Sequence, residues 1–100
     1  MHTLHVELQE GFHDDRVVAR LNGVEVLDME RVTTRMQTGF AAAAGTPAPE
    51  GRATLEISLP AKGASGSVEI DFQEAVWAGV SIGPGQAIQF KISREPFGYV

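Results

Sequence analysis

Arg16-Val17-Val18-Ala19-Arg20-Leu21-Asn22-Gly23-Val24-Glu25-Val26-Leu27 is the stretch that decides the fold class. Two apolar-rich runs flank Asn22-Gly23. Asn-Gly suits a two-residue type I′ hairpin, because both central residues need positive φ. Counting outward from the turn sets a register with Leu21 opposite Val24, Ala19 opposite Val26 and Val17 opposite Asp28. Val17, Ala19, Leu21, Val24 and Val26 then share one face, and Val18, Arg20, Glu25 and Leu27 the other. Turn chemistry and apolar pattern agree, which predicts an antiparallel hairpin.

The same two-residue period recurs on both sides. Leu4, Val6 and Leu8 alternate with polar residues ahead of the hairpin, and Glu10 to Asp15 form a polar connection around Gly11. Beyond it, Ala53, Leu55, Ile57 and Leu59 make a strand closed by Pro60. Val68, Ile70 and Phe72 make another, then Val76, Ala78, Val80 and Ile82, then Ile88, Phe90 and Ile92. Gly63 to Gly66 and Gly83 to Gln86 read as turns. Asp28 to Val32 suits one short helical turn, and Arg35 to Phe40 a strand. Residues 41–51, with two prolines and two glycines, read as a mobile loop, since the alanine run is too short for a stable helix. Seven or eight short strands predict an all-β chain, a small antiparallel β-sandwich, with a small β-barrel as the alternative. Residues 1–100 read as a single domain with an apolar C-terminal tail at 95–100.

The chain is 100 residues long, and its 8 Lys and Arg against 13 Asp and Glu give a net charge of −5. A domain of this size buries enough surface to fold without staples. With no cysteine, a disulfide framework and a Cys-based zinc site are excluded. The basic residues are scattered, so neither nucleic acid nor an anionic membrane is the expected partner. The start, Met1-His2-Thr3-Leu4-His5, lacks the basic and apolar regions of a signal peptide, and the longest apolar run is Phe40 to Ala44. These features make a cytoplasmic location the expectation, and the starting Met a sign of a complete small protein.

Catalytic motifs are weak. Gly79-Val80-Ser81-Ile82-Gly83 matches G-x-S-x-G formally, but that motif needs a strand-to-helix turn and a later His. All three histidines, His2, His5 and His13, precede Ser81. His13, Asp14 and Asp15 form an acidic loop cluster without calcium-loop spacing, which reads as solvated turn residues rather than a metal site. No phosphate-binding glycine motif is present. The expectation is therefore a non-enzyme with no cofactor and no metal.

Two features suggest binding. Trp77 has the opposite parity to Val76, Ala78, Val80 and Ile82, so it points away from the core that they form. An outward Trp stacks a sugar or anchors a protein partner, and the plain alternative is a strand covered on both faces. Phe97, Tyr99 and Val100 are large apolar groups after Pro96, whereas solvated tails are usually polar. They either cap this domain's own core or enter another protein's pocket. The reading is a small interaction module or adaptor that acts through protein–protein contact or self-association, with Trp77, Phe97, Tyr99 and Val100 as binding residues. The alternative is a carbohydrate- or small-ligand-binding sandwich that uses Trp77.

Overall fold

The computed structural model describes residues 1–98. The described residues form a β-sandwich of eight strands: β1 (His2–Leu8), β2 (Asp15–Leu21), β3 (Val24–Val32), β4 (Ala42–Ala48), β5 (Gly51–Leu59), β6 (Ala64–Phe72), β7 (Val76–Ile82) and β8 (Ile88–Ser93). They form two four-stranded sheets, ordered β4-β1-β7-β8 and β3-β2-β5-β6. All neighbours are antiparallel except β1 and β7, which run parallel. The helical elements among the described residues are two three-residue 3₁₀ turns, Pro60–Lys62 and Pro84–Gln86. No helix among the described residues is long and apolar enough to cross a membrane.

The alternating residues meet between the sheets. Leu4, Val6, Leu8, Val76, Ala78 and Val80 from one layer face Val17, Ala19, Leu55, Ile57, Leu59 and Phe72 from the other, all essentially inaccessible to solvent. At Gly66 of β6 the layers touch closely. An added Cβ there would stand 3.0 Å from the Ile88 side chain of β8.

The hairpin forms at Asn22-Gly23, whose φ angles of 50° and 81° are those of a type I′ turn. Asn22 also clamps the turn to β5. Its Oδ1 accepts from the Thr54 amide, and its own amide donates to the Thr54 carbonyl, both at 2.9 Å. The register holds for Leu21 and Val24 but then shifts. Arg20 pairs with Glu25, Ala19 with Leu27 and Val18 with Asp28. One extra residue, Val26, bulges from β3, so Leu27 turns into the core while Val24 stays 65% exposed at the tip. The expected pairs Ala19–Val26 and Val17–Asp28 are thereby corrected.

Three other local expectations change. Asp28 to Val32 continues β3 as a strand, with a second register shift near Arg31, whose φ is 56°. Arg35 to Phe40 is a tight turn closed by one bridge: the Arg35 amide donates to the Phe40 carbonyl at 3.0 Å. Most of the segment read as a loop over 41–51 is strand β4, in full register with β1 from His2–Ala48 to Leu8–Ala42. Its own residues favour a strand weakly. The partner strand imposes the conformation, and Ala42, Ala44 and Ala48 pack against the core while Ala43, Gly45 and Pro47 point outward.

Candidate functional site

The two outer faces of the sandwich differ in chemistry. On the β3-β2-β5-β6 sheet, ion pairs step across the strands: Arg16–Asp28 at 2.8 Å, Arg20–Glu56 at 3.5 Å and Arg52–Glu69 at 3.2 Å. The first is bidentate, with Arg16 Nε also donating to Asp28 at 3.1 Å. The Arg16 hydrogen bond holds the Asp28 carboxyl below its ordinary range. What the pair adds to stability is therefore present above the unfolded carboxylate range and fades as pH falls through the folded value. Both groups are exposed and the gain is small. On this face each of the arginines Arg16, Arg20 and Arg52 is paired with a carboxylate across a strand.

The β4-β1-β7-β8 sheet presents a different outer surface. His5 of β1 and Trp77 of β7 are direct partners in the parallel ladder. Their rings stack with centroids 4.6 Å apart and planes 9° from parallel. The cross-strand row runs Gly45, His5, Trp77, Ser93, and the next runs Ala43, Glu7, Gly79, Lys91. Glycine and alanine keep the relief low beside the aromatic pair. Over Gly79 lies the Gln9 amide group, which an added Cβ would meet at 2.7 Å.

Further along this surface, two shallow depressions of about 250 and 300 Å³ share Gln9, Glu10 and Lys91 as walls. Phe97 lines the first, with Lys91 Nζ 5.7 Å from its ring centroid, in cation–π range. A third cleft of about 410 Å³ lies between Phe12, Thr33 and the turn bearing Met36, which is 94% exposed.

The predicted binding residues fall out as follows. Trp77 sits on the outward face, half-buried, with one face of its ring covered by His5. Phe97 is half-buried against Lys91 at one end of the same sheet. Tyr99 and Val100 lie outside the described residues. His5 and Lys91 were not singled out from sequence. Their outward parity was visible, but what joins His5 to Trp77 is the parallel pairing of two strands remote in the chain.

The other motifs resolve into structure. Ser81 sits within strand β7, not on a strand-to-helix turn, and its hydroxyl accepts from the Glu10 amide at 3.3 Å. Asp15 turns inward, 4% exposed. One of its carboxylate oxygens accepts from the His13 amide at 2.8 Å, and the other meets Lys62 Nζ at 2.6 Å. It thereby anchors the 3₁₀ turn after β5 to the start of β2, an arrangement in which its oxygens are committed to the fold.

No protein-family model matches the chain, and no curated protein matches it either.

Proposed function

We propose that the chain is a non-catalytic interaction module that binds a protein partner through the outer face of its β4-β1-β7-β8 sheet. The observation that carries this reading is the contrast between the two outer faces. One neutralises its arginines by cross-strand pairing. The other sets a stacked Trp77–His5 pair in low relief, with Lys91 and Phe97 further along. Tryptophan and tyrosine dominate protein contact energies because they bury a large rigid surface at little entropic cost. Trp77 is the one tryptophan in the chain.

A carbohydrate-binding reading uses the same residue. The His5 stack leaves it one face of the indole, the face on which a sugar ring would stack. Glycan binding would change Trp77 fluorescence on titration.

The tail supplies a test. The full chain and a version that ends at Arg94 are used as baits against lysate of the source cells. A specific protein held by the full chain and lost with residues 95–100 is the expected result, with both baits showing the same melting temperature. If the shortened chain melts well below the full one, the tail braces the fold, and loss of a protein with it no longer places docking at residues 95–100. If neither bait holds a protein, the interaction reading is contradicted.

A further inference from the structure

We propose that Asn22-Gly23 is a gated modification site: Asn22 deamidates spontaneously at the hairpin tip, at a rate set by how often the tip lets go of β5.

Asn22 is the one asparagine in the chain, and glycine follows it. With no Cβ, glycine leaves its own amide nitrogen unshielded, so ring closure onto the preceding asparagine side chain is least hindered at this pair. The setting is open. Asn22, Gly23 and Val24 are exposed, and an added Cβ on Gly23 would meet nothing within 4 Å. Among the described residues, no backbone carbonyl holds the Gly23 amide.

In the reaction the Gly23 nitrogen gives up its proton to water and attacks Asn22 Cγ. The new N–Cγ bond forms, the bond from Cγ to the side-chain nitrogen breaks, and that nitrogen leaves as ammonia with a proton taken back from water. The product is a five-membered succinimide, which water opens. Cleavage at Cγ gives aspartate at position 22. Cleavage at the main-chain carbonyl gives isoaspartate, in which the backbone runs through Cβ and Cγ. No oxidant or reductant takes part.

The folded chain holds the reacting carbon off this path. Asn22 Oδ1 accepts from the Thr54 amide, and the Asn22 amide donates to the Thr54 carbonyl, both at 2.9 Å. Ring closure needs the carboxamide to leave Thr54 and turn onto Gly23, so the tip must first part from β5. Loss of two hydrogen bonds makes the reactive state at least about tenfold rarer than in the unfolded chain. The two products then differ. An aspartate keeps an oxygen for the Thr54 amide. An isoaspartate adds a main-chain carbon to a two-residue turn, which no longer closes the Leu21–Val24 pair. Leu21 is 5% exposed, so the misfit reaches the core.

The test incubates the full chain at mildly alkaline pH, folded and in unfolding guanidinium chloride. Mass spectrometry of the tryptic peptide 21–31, cut after Arg20 and Arg31, reads the exchange of amide for acid and the share of isoaspartate. The expected result is conversion at Asn22 in both samples, at least about tenfold slower in the folded one. Val80→Ala, a core change in the other sheet, should leave the folded rate unchanged, because only the tip has to open. The isoaspartate form, separated chromatographically, should melt below the fresh chain and lose hydrogen-exchange protection at the Thr54 amide, whereas Asn22→Asp keeps both. Equal rates in the folded and unfolded chain overturn the gate. A folded rate that rises with Val80→Ala in step with the lost stability also overturns it, since conversion then runs through global unfolding. Conversion confined to the unfolded chain overturns the site itself.

Discussion

Replacement of Gly11 by alanine should destabilise the protein by about 3 kcal/mol or more, lowering the melting temperature by roughly 12 °C or more. Two effects add. Gly11 has φ of +88°, a region that a side chain resists. An added Cβ would also stand 2.1 Å from the backbone carbonyl oxygen of Ile82 and 2.9 Å from its Cβ. Neither neighbour can yield easily, because the chain on both sides is pinned. The Gln9 amide donates to the Val80 carbonyl at 2.7 Å, and the Ile82 amide to the Glu10 carbonyl at 2.8 Å. The Thr34 hydroxyl donates to the Gln9 carbonyl and accepts from the Phe12 amide. Gly51 supplies the comparison, with φ of +90° and nothing within 4 Å of an added Cβ. Gly51→Ala should cost only the backbone term, about 1–2 kcal/mol. Denaturant melts of both variants measure the difference. Equal costs would mean that the close approach of Gly11 to β7 is absent.

The second large effect is in the core. Leu55→Ala should cost about 2–5 kcal/mol. Leu55 is fully buried in β5, one of the central strands of its sheet, where it pairs with Leu21 on one side and Val68 on the other. Both neighbouring strands are held in register, so the cavity cannot close by a simple shift. Thr54→Ala, at the exposed neighbouring position, should change stability by under about 1 kcal/mol. The reverse order of the two costs would mean that the sheet is inside out.

Part of this architecture was legible from residues alone. Alternation placed Leu55, Ile57 and Phe72 in the core because a half-buried strand must alternate. Asn22-Gly23 placed a hairpin because few other dipeptides accept two positive φ angles. The β3 register was not legible beyond two pairs. A bulge costs one residue and leaves no signature in Glu25-Val26-Leu27. β4 was not legible either: Ala42 to Ala48 has no polar alternation, and its conformation comes from pairing with β1. The same non-local step hid the candidate site. Trp77 could be placed on an outer face by parity, but its stacking partner His5 became visible only once β1 lay parallel to β7.

These points converge on one surface. The β4-β1-β7-β8 sheet carries the aromatic stack on its face and the uncharged strand at its edge, while the opposite sheet pairs its arginines with carboxylates across the strands. The most direct measurement captures binding proteins from source-cell lysate with three baits of equal melting temperature: wild type, Trp77→Ala, and Arg52→Ala on the ion-paired face. The expected result is a protein retained by wild type and Arg52→Ala and reduced at least about tenfold with Trp77→Ala, a loss of about 1.4 kcal/mol or more. Retention by Trp77→Ala with loss by Arg52→Ala would place the contact on the opposite sheet and contradict it.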